Sequence, residues 1–187
     1  MQENLKKAVE VLRAGGIILY PTDTIWGLGC DASNESAVKR IYEIKQREET
    51  KSMLVLIDST AKLQAYVKEI PEIAWDLIEL TTKPLTIIYP EAKNLAKNLV
   101  AEDGTIGIRV TNEWFSKKLC EMFRAPIVST SANISGEKPP TSFGEISQEI
   151  INAVDYVVEY RQDDVMPAQP SSIVKLGLGN VIEIIRK

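Results

Sequence analysis

Histidine is missing from all 187 residues, and cysteine occurs only twice, at Cys30 and Cys120. Without an imidazole there is no Ser-His-Asp or Cys-His nucleophile, no histidine general base and no histidine metal ligand. Two distant cysteines with no CxxC pair exclude a disulfide framework and a thiolate zinc site. Long apolar runs are also missing: none approaches the roughly 20 residues of a spanning helix, and residues 1–15 lack the apolar core of a secretory leader. The chain therefore reads as a cytoplasmic protein with no membrane partner. Positive charge is not in excess either. Lys and Arg number 22 against 26 Asp and Glu, for a net charge of -4, which excludes a surface that is a nucleic-acid footprint throughout but not a local basic pocket. Neither a GxxxxGK[ST] phosphate loop nor a GxGxxG fingerprint is present, so a nucleotide would have to bind by another design.

What is present is the composition of one globular domain, 44% hydrophobic and 26% charged, long enough for a full core. Leu5, Ala8, Val9 and Leu12 recur at helical spacing after Asn4, an expected N-cap, and Gly15-Gly16 closes that helix. Asn34 or Ser36 caps a second helix, with Ala37, Ile41 and Ile44 on its apolar face and its end near Lys45. Strands are expected at 53–57, 85–89, 105–110, 125–130, 156–160, 172–176 and 181–185, with helices near 62–67, after Pro71 up to Pro84, at 144–151, and after Asn112, this last burying Phe115, Leu119 and Met122. Helices alternating with strands, then strands at hairpin spacing, predict an α/β fold with a mixed parallel and antiparallel sheet and helices packed on it. The loop 162–170, with two prolines and two aspartates, is a candidate cover.

The apolar run 16–20 leads into Pro21-Thr-Asp-Thr-Ile-Trp-Gly-Leu-Gly29. Polar side chains there would stand at the mouth of a buried strand, where open sheets place ligands, and the two glycines would let backbone approach whatever binds. Pro-Thr-Asp is also ordinary turn chemistry. Lys45, Arg47 and Lys51 cluster after the second helix and could hold an anion, or form a solvated face that complements the helix C-terminus. Ser129-Thr-Ser-Ala-Asn133 follows a strand and is either a turn or a dense set of hydroxyl and amide donors. Arg109 sits inside a strand pattern, where a cation is expensive unless it is paired with a carboxylate or reaches an anion.

Taken together, PTDTIWGLGCDA from Pro21, the KxR of Lys45 and Arg47, TIGIR from Thr105, STSANISG from Ser129 and SSIV from Ser171 resemble the YrdC-like family of threonylcarbamoyl-AMP synthases, in a single-domain form spanning 1–187. The resemblance implies a twisted mixed sheet with a central basic cleft. It also implies ATP-dependent synthesis of L-threonylcarbamoyladenylate from L-threonine and bicarbonate, with release of pyrophosphate, for a tRNA adenosine modification. By resemblance Lys45 and Arg47 are catalytic and bind the triphosphate, and Lys51, Thr105, Ser131, Asn133, Pro139 and Arg186 contact ATP. Thr22, Thr24, Ser52, Arg109, Ser129, Ser171 and Ser172 line the threonine side. Magnesium would arrive with ATP, no carboxylate cage being visible. Implied partners are tRNA and the proteins that carry the threonylcarbamoyl group onward. The chain departs from the family at Glu48, Ser52 and Met53, where proline and a Pro-Leu pair are usual, and at Lys175, where an acid is common.

All the reacting partners of such a reaction are anions, so the work suits Arg and Lys rather than histidine. A non-catalytic module binding double-stranded RNA or tRNA is the alternative. A serine hydrolase is disfavoured by the missing histidine and the missing GxSxG elbow.

Overall fold

The structure, a computed structural model, describes residues 1–48, 53–164, 170–177 and 181–187. Helix α1, Gln2–Arg13, buries Leu5, Ala8, Val9 and Leu12 as the spacing predicts. Its cap is not Asn4. The helix begins at Gln2, and the Asn4 amide oxygen instead accepts from the Tyr156 hydroxyl and the Glu159 N–H, satisfying groups from a distant segment rather than its own first turn. Gly15, at φ +77°, supplies the left-handed residue that ends α1. Helix α2, Glu35–Ile44, is capped by Asn34, whose side chain accepts from Ala37 N–H at 3.0 Å.

Strands β1, Ile18–Tyr20, and β2, Gly27–Gly29, pair antiparallel, so residues 21–26 are a hairpin loop and GLG is sheet rather than a turn, with Gly27 on the wall of a cavity. A Cβ on Gly29 would stand 2.6 Å from the Tyr20 ring and 3.0 Å from the Val128 carbonyl. Glycine is needed there because a ring and a neighbouring backbone already occupy the space.

The chain continues through β3 (Leu54–Ile57), α3 (Leu63–Tyr66), α4 (Ile73–Leu80), β4 (Leu85–Tyr89), β5 (Ile106–Val110), α5 (Trp114–Phe123), β6 (Ile127–Ser131), α6 (Gln148–Ala153), β7 (Tyr156–Val157), β8 (Ser172–Leu176) and β9 (Ile182–Arg186). Helix α4 ends at Leu80, before the expected stop at Pro84. Glu113 rather than Asn112 caps α5, accepting from Ser116 N–H at 2.7 Å. The buried stripe of α5 turns toward Ser116 and Cys120, so Met122 is exposed instead of buried. A 3-10 turn at Phe143–Glu145 precedes α6, which is shifted from the expected 144–151, and β7 stops two residues in.

Among the described residues the strands form one sheet in the order β7-β1-β2-β6-β3-β5-β4-β8-β9. The pairs β1·β7, β3·β5 and β4·β8 are parallel and the others antiparallel, which is the mixed sheet expected. Because side chains alternate across a strand, the register gives this sheet two different faces. One carries Val55, Ile87, Tyr89, Ile108, Val128 and Val174 and is covered by α2, α3, α4 and α6 in a single core. The other carries Leu56 and Ile127 under α1 and α5. Beyond those helices its neighbouring positions Leu54, Gly107, Arg109, Thr86 and Ser129 line a cavity. No helix among the described residues is long and apolar enough to cross a membrane.

Candidate functional site

The cavity encloses about 320 Å³, at the lower end of small-molecule sites. It lies on a sheet face rather than beyond the strand ends. Strands β2, β3, β4, β5, β6, β8 and β9 supply much of its wall, and the hairpin loop with Thr24 and Trp26, Arg47 in the segment after α2, Met53, Thr105, Pro139, Pro170 and Ser171 supply the rest. Four lining residues are cationic, Arg47, Arg109, Lys175 and Arg186, and none among the described residues is acidic. Trp26 is wall, as its apolar character suggests, and packs on Phe143 with ring centroids 4.9 Å apart.

Arg109 is 3% exposed. Its Nη2 lies 3.0 Å from Asp23 Oδ1 and donates to Thr24 Oγ1 at 3.3 Å. Its Nη1 makes a long contact of 3.5 Å with Thr86 Oγ1. Of the two alternatives from sequence the carboxylate pair is present: Asp23 holds one side of a guanidinium whose side chain lines the cavity. Burial pushes the Asp23 carboxyl up from its ordinary value, and Arg109 pulls it down by less. The Arg109 Nε finds no hydrogen-bond partner among the described residues.

Proton bookkeeping orders the hairpin loop. The Thr22 hydroxyl donates to Ile25 C=O at 2.7 Å and accepts from Thr24 N–H at 3.1 Å. Thr24 Oγ1, 3.0 Å away, must then donate to Thr22 and accept from Arg109. Turn chemistry is therefore what Thr22 does, and Thr24 presents only a lone pair.

Lys45 is 1% exposed. Its ammonium donates to the carbonyls of Ser131 and, at 2.7 Å, of Asn133, and Ser135 N–H returns a bond to Lys45 C=O at 2.8 Å. Burial first, and the neighbouring Arg47 second, push Lys45 down to about 8. It lashes the loop after β6 to the end of α2 and does not line the cavity. Asn133 also works within that loop, its amide donating to Ile134 C=O and Glu137 C=O.

Of the residues predicted from sequence, Thr24, Arg47, Thr105, Arg109, Ser129, Ser131, Pro139, Ser171 and Arg186 are brought together on the cavity wall. Thr22, Lys45, Asn133 and Ser172 stand off it; Ser172 points the opposite way from its strand neighbour Ile173, which does line it. Lys51 and Ser52 lie outside the described residues, as does most of the expected cover at 162–170. Thr105 donates its hydroxyl to Asp103 Oδ1 at 2.6 Å, and Lys175 Nζ holds Asp103 Oδ2 at 2.7 Å. These bonds, Lys175 foremost, hold the Asp103 carboxyl down at about 2. The lysine that departs from the family pattern is thus paired at the rim.

Sequence reasoning passed over Thr86, which is 2% exposed and bonded to Ser171 Oγ at 2.9 Å. In the run LTIIY a threonine reads as one more β-branched strand former. The available signal was parity, which puts Thr86 on the face of Ile88 and away from Ile87.

A family model for Sua5/YciO/YrdC, described as Telomere recombination, matches residues 10–187. A protein of Pseudoalteromonas translucida named threonylcarbamoyl-AMP synthase is 37% identical over 161 residues, covering 84% of this chain and 86% of that protein. One of the same name from Stenotrophomonas maltophilia is 34% identical over 182 residues, covering 95% and 96%. Among solved structures, P. abyssi Sua5 complexed with L-threonine superposes with a TM-score of 0.84 at 28% identity over 95% of this chain. The chain spans about half of that protein, 52% of its length. E. coli YciO gives a TM-score of 0.86 at 25% identity, covering all of this chain and 90% of its own.

Proposed function

The chain belongs to the Sua5/YciO/YrdC family, and we propose that it makes L-threonylcarbamoyladenylate and pyrophosphate from L-threonine, bicarbonate and ATP, for threonylcarbamoylation of a tRNA adenosine. The observation that carries this reading is a sheet face lined by four cations with no acid among the described lining residues, a basic cleft fitted to several anions at once. Relatives named for this activity, covered over most of their length, and a fold relative complexed with L-threonine support it.

In this reading Arg109, steadied by Asp23, Thr24 and Thr86, takes the amino-acid carboxylate. Threonine's amine takes up the one-carbon unit of bicarbonate with loss of water. A carbamate oxygen then attacks the α-phosphorus and pyrophosphate leaves. Arg47, Arg186 and the Ser131 region face the phosphates, screening the repulsion between anions and fixing the line of attack. Lys45 serves by position, holding the end of β6 at Ser131 and the loop after it at Asn133. The described residues contain no group of three acids, cysteines or histidines suited to a metal. Magnesium would therefore be bound by ATP's own oxygens and water, where it neutralises phosphate charge. The product passes to tRNA through downstream transfer proteins. The alternative of a non-catalytic RNA-binding module gains no support.

Pyrophosphate release by the purified protein with ATP and bicarbonate, measured across the amino acids, tests the reading. Release that depends on L-threonine is expected; none with any amino acid overturns it.

A further inference from the structure

Arg109 and Arg186 approach the cavity from different strands, and two hydroxyls stand between them. Arg109 Nη1 points at Thr86 Oγ1 at 3.5 Å, Thr86 and Ser171 share one bond of 2.9 Å, and Arg186 donates to Ser171 Oγ at 3.4 Å and to Ser171 C=O at 2.8 Å. Thr86 and Ser171 are each 2% exposed. A guanidinium can only donate, so both hydroxyl oxygens are turned as acceptors toward the two arginines. The pair carries two hydroxyl protons and shares one bond. One proton is therefore left over, with no further acceptor for it among the hydrogen bonds of the described residues.

We propose that Thr86 is a positioning residue for this site: with Ser171 it bridges the two arginines, sets the tilt of the Arg109 guanidinium, and leaves one hydroxyl proton to be donated to a substrate oxygen, that of the amino-acid carboxylate or the carbamate formed from it. The proposal rests on the function proposed above. It adds a residue on β4 to the amino-acid side and explains why two like charges converge on one wall, since the oxygen of each hydroxyl faces its arginine and the shared proton lies between the oxygens. A valine at this position would keep the shape and lose the oxygen, leaving an arginine N–H without an acceptor.

The test is the KM for L-threonine, by pyrophosphate release at saturating ATP and bicarbonate, in the full-length protein. T86V is expected to raise it about tenfold while T86S stays within about threefold of wild type. S171A is expected to match T86V, and the T86V/S171A double variant to be no worse than either, because each single change already removes the shared bond. Packing loss alone would instead add the two effects and would not be rescued by serine. A wild-type KM in T86V, or additive effects, overturns the proposal while the function stands. If T86V does not fold, a wild-type KM in S171A overturns it. A wild-type protein that releases no pyrophosphate overturns the function and this proposal with it.

Discussion

Lys45→Met should change how stability depends on pH, in a direction the burial of the ammonium dictates. Lys45 is enclosed, its Nζ bonds to two carbonyls, and it titrates at about 8 in place of 10.5. At about 1.4 kcal/mol per pH unit, keeping that charge in the native state costs about 3 kcal/mol relative to the unfolded chain. The cost is fully present below about pH 8, where both states bind the proton. Between about 8 and 10.5 the unfolded chain holds more protons than the native one, so stability must rise with pH. Methionine has nearly the same length and does not titrate. Urea unfolding followed by tryptophan fluorescence at pH 7, 8, 9 and 10 gives the difference between the two proteins. Wild type is expected to gain on Lys45→Met by about 1 kcal/mol per pH unit above pH 8, reaching about 2.5 kcal/mol at pH 10. The buried Tyr20, Cys30 and Cys120 are pushed up by burial and act in the opposite sense, since they ionise first in the unfolded chain. They are common to both proteins and cancel in the difference. A difference that stays flat from pH 7 to 10 refutes the reasoning, because it means that the ammonium reaches solvent or a counter-ion.

Arg47→Ala should cost roughly 2–4 kcal/mol of transition-state stabilisation, the scale of one preorganised charged donor; unchanged kcat/KM in pyrophosphate release removes Arg47 from the machinery. Gly29→Ala forces a methyl against the Tyr20 ring and the Val128 carbonyl and should destabilise by about 1–3 kcal/mol, and a urea midpoint within error of wild type would show that the strands part without strain. Asp103 should titrate at about 2 in the folded protein, by NMR of its carboxyl carbon. The pair is half-exposed and worth less than about 1 kcal/mol, a stabilisation present above about pH 4 and lost as pH falls toward 2. Lys175→Met should move the midpoint toward the ordinary carboxylate value, and no movement would mean that Thr105 alone holds it.

Much of the fold was legible because its signals are local. The stripe of α1, the Asn34 cap and the β-branched runs of β4, β5 and β8 each depend on neighbours a few residues away. Misreadings arose where a distant partner outbid a near one. Asn4 bonds Tyr156 and Glu159 instead of capping α1; Met122 yields the buried stripe to Cys120, which lies against β3 with its thiol on Leu56 C=O; and Gly29 lies against the Tyr20 ring and the Val128 carbonyl instead of a ligand. The site shows the same division. Arg109 could be singled out because a cation in an apolar strand must be compensated somewhere, whereas Thr86 could not, because a threonine in a strand needs no compensation that sequence would reveal.

By itself the sequence determined the chemistry available: no imidazole, no metal cluster of cysteines, and a few cations and hydroxyls set into apolar strands. Tertiary structure decided which of those groups meet. Strand register put Arg109, Thr86 and Ser129 on one face and Ser172 off it, while burial turned Lys45 inward onto backbone carbonyls and left Arg47 on the wall. Residue types limit what can be donated or charged, but pairing across strands far apart in the chain selects which side chains share a face.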